Sequence, residues 1–301
     1  MTNPATIRKL SGERDLARRG AWVMVGSVAG FTVNTLLLKY LGSVRELPAL
    51  LPLLFRAGVG IVMVLTLFRG DHPTRIRPVF REKGLVARGV TGLLGTAAYY
   101  WTVPAMGPGK ATLFCNTYVV FAAVIAALCL KEPLPWTRFS WLAVALAGIV
   151  LLSGARWNGA GSSFGFAEII GLAGAVLAAC SVVLIRQLAG VHSAGTIYLA
   201  QCVWILLPML PWTVPDLAGL AFRDLALLLL AGVAAGFGQL AMNEGYRCLP
   251  VASGASLQML WPVATSLGGI LWFGERFAML QIFGAVLILG ATWFIAVWKV
   301  R

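Results

Sequence analysis

The sequence predicts an all-α integral membrane fold, ten transmembrane helices arranged as two inverted five-helix repeats. Three observations lead there. Of the 301 residues, 59% are hydrophobic and 12% charged, against about 45–50% and about 25% in ordinary soluble domains, and the mean hydropathy is +0.84. Ten apolar runs of bilayer-spanning length follow one another with short breaks. The second half of the chain also repeats a pattern of the first at a nearly constant separation. A soluble globule of this size could not bury so much apolar surface, and a disordered chain would need low hydrophobicity with high net charge.

A helix needs about 20 apolar residues to span a bilayer. The runs lie at 21–41, 48–68, 85–104, 111–130, 136–153, 166–185, 195–212, 224–243, 251–273 and 278–298. Pro, Gly or charge interrupts them, as in GDHPTRIRP at 70–78 and ARWNGAGSS at 155–163. Only KEPLPW separates the fourth run from the fifth, which predicts a tight helical hairpin. The first run is too long for a signal peptide and lacks a convincing cleavage site. The expected domains are a basic cytoplasmic tail at 1–20, a first five-helix repeat at 21–153, an outer linker at 154–165 and a second repeat at 166–298.

The formal net charge is +13. The basic residues sit at the ends of apolar runs rather than on one patch, so they speak for membrane topology and against nucleic-acid binding. With the N-terminus inside, seventeen Lys and Arg fall on the cytoplasmic side and six outside, with Arg56 left within the membrane. Both termini are therefore expected to be cytoplasmic in a multi-pass inner-membrane protein. The five cysteines, Cys115, Cys129, Cys180, Cys202 and Cys248, show no metal-binding spacing. Four lie deep in apolar runs and read as packing residues.

The internal repeat is carried by particular residues. PGKATLFCNTYVVFAAVIAALCLKEPL from Pro108 answers PVASGASLQMLWPVATSLGGILWFGERF from Pro250. Pro108 pairs with Pro250, Glu132 with Glu275, and Gly148 with Gly290, at separations of 142, 143 and 142. A glycine-rich run precedes each copy. Five spans per copy would insert the second copy upside down. Inverted repeats of this kind mark secondary transporters, which rock one half against the other about a midplane site.

The phrase YRCLPVASGASLQMLWPVATSLGGILWFGERF, followed by GAVLILG, resembles the EamA-type domain of the drug/metabolite transporter superfamily. The shared pattern is a small-residue turn after Pro, a helix with a central Pro, a Gly-Glu at its end, and a helix with spaced glycines. The resemblance covers most of the chain and implies two such domains, ten spans and transport of a small metabolite. The first half departs from it: Val120 stands where Pro262 stands in the second, and Lys110 replaces a small residue. These departures imply that the halves are no longer equivalent. The related small multidrug exporters use a buried Glu in the first span for proton/cation antiport. Asn34 occupies that region here, which speaks against a Glu-centred mechanism.

Polar groups inside spans are costly and mark candidate functional positions. Arg56, in PLLFRAGVGIVMVL, is the sharpest, and could hold a carboxylate or phosphate bidentately. Asn34, Asn116, Gln239, Asn243 and Gln258 offer uncharged polar faces in spans one, four, eight and nine. Gln258 is the repeat mate of Asn116. Tyr99, Trp101, Tyr118 and Trp261 would form apolar walls for an amphipathic organic molecule. Glu244 and Arg247, three apart, form a candidate cytoplasmic gate or a plain surface pair. Glu132 and Glu275 are expected to cap or brace the tight hairpins.

With two histidines, both in loops, and no acidic cluster, the residues for a metal site or a catalytic constellation are not expected, nor is a cofactor. The expected function is alternating-access transport of a small organic metabolite, such as an amino acid, with export favoured by the resemblance. The alternatives are import of a nucleoside-containing cofactor or vitamin, such as S-adenosylmethionine or riboflavin, and, as a distant third, an integral membrane enzyme. The expected partners are the small-molecule substrate and the lipid bilayer. Proton or ion coupling and a monomer or weak homodimer stay open.

Overall fold

The computed structural model describes residues 4–67, 76–130, 136–153, 165–249 and 257–297. Glu132, most of the outer linker and much of the 70–78 loop lie outside them. The described residues are almost entirely helical. In chain order the helices are α1 (Pro4–Ser43), α2 (Leu51–Leu67), the short α3 (Arg77–Arg81), α4 (Lys83–Met106), α5 (Pro108–Asn116), α6 (Tyr118–Leu130), α7 (Trp136–Ser153), α8 (Phe166–Leu188), α9 (Ala194–Thr213), α10 (Phe222–Cys248), α11 (Leu260–Phe273) and α12 (Met279–Val297).

Among the described residues, four helices are long and apolar enough to cross a bilayer: 18–43 of α1, α8, α9 and α10. Shorter apolar stretches lie in α2, α7, α11 and α12. Large apolar side chains such as Trp22, Leu271, Trp272, Phe283 and Val286 point outward. In water this would be an aggregation surface; against acyl chains it is the expected exterior.

The helix starts follow local chemistry. Pro108, whose missing N–H suits a first turn, opens α5 directly after Gly107 at φ +95°. Ser193 caps α9 by accepting from the Thr196 N–H at 3.2 Å. Gly274, left-handed at φ +62°, ends α11. The expected fourth span is broken: Thr117, whose hydroxyl donates to the Phe114 carbonyl at 2.6 Å, separates α5 from α6. The ninth is interrupted at Met259, 142 positions later, just before α11. Both breaks bring the chain's irregular backbone to the protein interior, where neighbours rather than lipid meet it.

Helix packing follows a reciprocal plan. α1 packs on α10, and α4 on α8; α2 packs on α10, and α4 on α9; α11 packs on α1, and α6 on α8. Further pairs join α2 to α9, α5 to α11 and α7 to α12. Exchanging the first five expected spans for the second five turns these nine pairs into one another, while α1 with α4 and α4 with α5 pack without an equally extensive counterpart among the described residues.

Glycines set the closest crossings. A Cβ on Gly30 of α1 would lie 2.8 Å from the Ala234 carbonyl and 3.1 Å from Gly238 Cα of α10. A Cβ on Gly174 of α8 would lie 2.9 Å from Ala98 Cβ and 3.6 Å from the Gly95 carbonyl of α4. Gly174 follows Gly30 by 144 positions, and Gly238 follows Gly95 by 143. In a bilayer, where apolar burial does not drive helices together, such backbone approach is a main source of attraction.

Candidate substrate cavity

A cavity of about 120 Å3 lies at the centre of this packing. Its walls come from α1, α2, α4, α5 and α6 on one side and from α8, α9, α10 and α11 with the residues just before it on the other. Several water molecules or a small organic group fit such a space.

Arg56 projects into it from α2 and is only 5% exposed. Gly232 on α10 makes this placement possible, because a Cβ there would lie 3.0 Å from the Phe55 carbonyl, so the two helices touch. Gln239, two turns along α10, then accepts from Arg56 Nη2 at 2.9 Å. Gln239 in turn donates to Asn243 Oδ1 at 3.2 Å, and Asn243 Nδ2 donates to the Ala194 carbonyl at 3.3 Å. The Arg56 guanidinium carbon stands 6.0 Å from the Phe31 ring centre and 5.8 Å from that of Tyr100, within cation–π range. Tyr100 donates to Asn34 Oδ1 at 3.2 Å. The charge is held by neutral dipoles and ring faces. Among the described residues, no Asp or Glu lines the cavity.

Tyr99, Tyr118, Gln258 and Trp261 also line the space. The Trp261 ring lies 5.4 Å from those of Phe31 and Tyr99. The Tyr99 hydroxyl bridges Thr35 at 2.8 Å and Thr112 at 3.0 Å, which ties α4 to α1 and α5. Gln258 donates to Ser27 Oγ and Met24 Sδ, each at 3.0 Å.

Of the ten expected binding residues, three stand off the wall. Trp101 turns away and meets the Phe166 ring edge-on at 5.6 Å. Asn243 sits behind Gln239. Asn116 is buried beside the helix break and donates to Met259 Sδ at 3.1 Å. Glu244 and Arg247 pair at 3.1 Å on the partly exposed end of α10, with Arg19 at 3.8 Å.

Glu275 braces a different element from its own hairpin. Its carboxylate accepts from the Gly109 N–H at 3.1 Å and the Lys110 N–H at 3.2 Å, at the start of α5. Glycines at 107, 109 and 269 leave the notch it fills. Burial pushes its carboxyl pKa up, opposed by the two N–H groups and by the charges of Lys110 and Lys39.

The comparisons with known proteins bear on this architecture directly. The model of the EamA-like transporter family matches residues 18–154 and again residues 165–297. The chain belongs to that family. It is a membrane transporter by family, and its all-helical architecture with apolar helices accords with that. The pseudopaline exporter CntI of Pseudomonas aeruginosa, from two strains, is 26% identical over 282 residues, covering 92% of this chain and 95% of that protein. A solved crystal structure matches with a TM-score of 0.60 at 21% identity, over 91% of this chain and 95% of that one, which shows the fold alone.

Sequence reasoning missed Arg88. Counted among the loop cations, it is instead 2% exposed and lines the cavity of this EamA protein. Its Nη2 donates to Gln201 Oε1 at 2.8 Å and its Nη1 to Ser181 Oγ at 3.4 Å. Gln201, also missed, donates to Thr96 Oγ1 at 2.9 Å and to the Gly92 carbonyl at 3.3 Å. One signal was available: Gly92 stands one turn after Arg88, and a Cβ there would collide with Arg88 Nη1 and lie 2.9 Å from Gln201 Cγ.

Proposed function

We propose that this protein is an alternating-access exporter of a small organic metabolite bearing a carboxylate or other anionic group, in the inner membrane with both termini cytoplasmic. The observation that carries the reading is Arg56: a guanidinium buried in a central cavity, oriented by Gln239 and two ring faces, with no acidic residue on the cavity wall among the described residues. A buried cation without a counter-charge is costly and marks a functional position. Its fork geometry suits a planar anion.

Two inverted halves are supported by the reciprocal helix pairs, by the matching glycine crossings and by the doubled family match. A site enclosed between two such halves is reached from either side by rocking one against the other. Apolar walls from Phe31, Tyr99, Tyr118 and Trp261 suit the carbon frame of an amphipathic cargo. Export is favoured because a relative covering almost the whole chain is named as an exporter.

The test is counterflow in proteoliposomes loaded with a panel of amino acids and other carboxylate metabolites. At least one carboxylate should exchange in a protein-dependent way. Arg56→Gln should reduce its apparent affinity at least about tenfold, the scale of one charge-assisted contact. Exchange that ignores both the carboxylate and Arg56 would refute the proposal.

A further inference from the structure

Arg56 is one of two arginines on the same small cavity. Arg88 reaches it from α4, a different wall, and is the more deeply buried. Among the described residues, the Arg88 guanidinium donates to neutral groups, Gln201 and Ser181. The Nε atoms of both arginines have no hydrogen-bond partner among the described residues. The acidic residues that do have partners are engaged elsewhere. Asp224 holds Arg45, Glu275 caps α5, Glu82 meets His192, and Glu244 meets Arg19 and Arg247.

The two cations are mounted alike. Arg56 on α2 is held by a glutamine of α10, and Arg88 on α4 by a glutamine of α9. These seams, α2 with α10 and α4 with α9, are exchanged by the reciprocal packing. The second half thus contributes an oriented amide to each cation of the first. Each amide is itself anchored, Gln239 through Asn243 and Gln201 through Thr96. Gly92 keeps open the room that Arg88 occupies. A brace between helices would need hydrogen bonds but no charge, and the neutral partners would serve a neutral side chain equally well. Two fixed cations beside one space, with no carboxylate on its wall among the described residues, call for negative charge from outside the chain.

We infer that Arg88 is a second anion anchor and that the cargo carries two anionic groups, one for each guanidinium, joined by an apolar or aromatic frame. This rests on the reading of the cavity as the cargo site.

The experiment measures binding to the purified full-length protein by thermal protection, with α,ω-dicarboxylates of four to eight carbons and monocarboxylates of matching length. The best dicarboxylate should bind at least about tenfold more tightly than its matched monocarboxylate. Arg88→Gln should reduce that preference below about twofold, by weakening the dicarboxylate more than the matched monocarboxylate. Arg88→Lys, which keeps the charge, should retain a preference. Equal binding of the two classes by the wild type, which requires no variant to fold, overturns the assignment and leaves an Arg56-centred carrier. A preference that survives Arg88→Gln also overturns it. Absence of binding and counterflow for every carboxylate removes the carrier reading as well.

Discussion

Removing the Glu275 carboxylate should loosen the start of α5 by a predictable amount. Glu275 comes from the turn between α11 and α12, yet both its oxygens serve backbone donors of another element, Gly109 and Lys110. Those N–H groups are among the four that a helix start leaves without an intrahelical partner. In Glu275→Ala both lose their partner at a half-buried site. Each abandoned donor costs about 1–3 kcal/mol, and an anion at a helix N-terminus is itself worth about 0.3–1 kcal/mol. Removing the carboxylate also relieves its own burial cost, so a net loss of about 2–3 kcal/mol is expected. Glu275→Gln keeps one acceptor oxygen but turns an NH2 toward a donor, and should cost about 1 kcal/mol. The assay is denaturant or thermal unfolding of the purified full chain in one detergent, with wild type, Ala and Gln compared. An Ala variant as stable as wild type would show that the carboxylate does not hold α5, and that water or a neighbour serves those donors equally well.

Three further outcomes follow from the same structure. Because burial raises the folded-state pKa of Glu275, the folded protein holds this proton more tightly than the unfolded chain. Its contribution is full below the unfolded value near 4.5 and is lost as pH rises through the folded value. Wild-type stability should therefore fall relative to Glu275→Gln across that window, and parallel pH profiles of the two would contradict this. Gly30→Val and Gly174→Val, at equivalent crossings, should each destabilise by about 1–3 kcal/mol through overpacking; unaltered unfolding midpoints would mean that the crossings can open without cost. Reporter fusions should place residues 70–84 in the cytoplasm and 154–165 outside, and the reverse pattern would overturn the proposed orientation.

Much of the helical framework was legible. The observed α8, α9, α10 and α12 fall within about five residues at each end of the expected sixth, seventh, eighth and tenth spans. Apolar runs closed by Pro, Gly or charge are a strong signal. The break at Thr117 was not legible, because the run through PGKATLFCNTYVVFAAVIAAL holds no proline after its first residue and no cluster of breakers. It depends on a side-chain bond to the Phe114 carbonyl that competes with the helix ladder.

The cavity was harder to read than the framework. In a soluble helix the apolar stripe announces the inward face; in a helix apolar all round it does not, since lipid and protein interior are equally apolar. Trp101 and Tyr100 are neighbours on α4, and only tertiary packing sends one against Phe166 and brings the other to Arg56. Arg88 fell among cations assigned to a loop because charge near the end of a run reads as an interfacial anchor. Without it the expected cytoplasmic side still holds sixteen Lys and Arg against six.

Composition and spacing alone determined that this chain is a bundle of apolar helices built from a doubled unit, because the bilayer admits few ways to satisfy a backbone without water. Which polar side chains share one space was decided by the crossings of α1 with α10, α4 with α8 and α2 with α10. The rotation of each helix about its own axis is set by where small residues let backbones touch, and that is a property of pairs of helices that no single run of sequence carries.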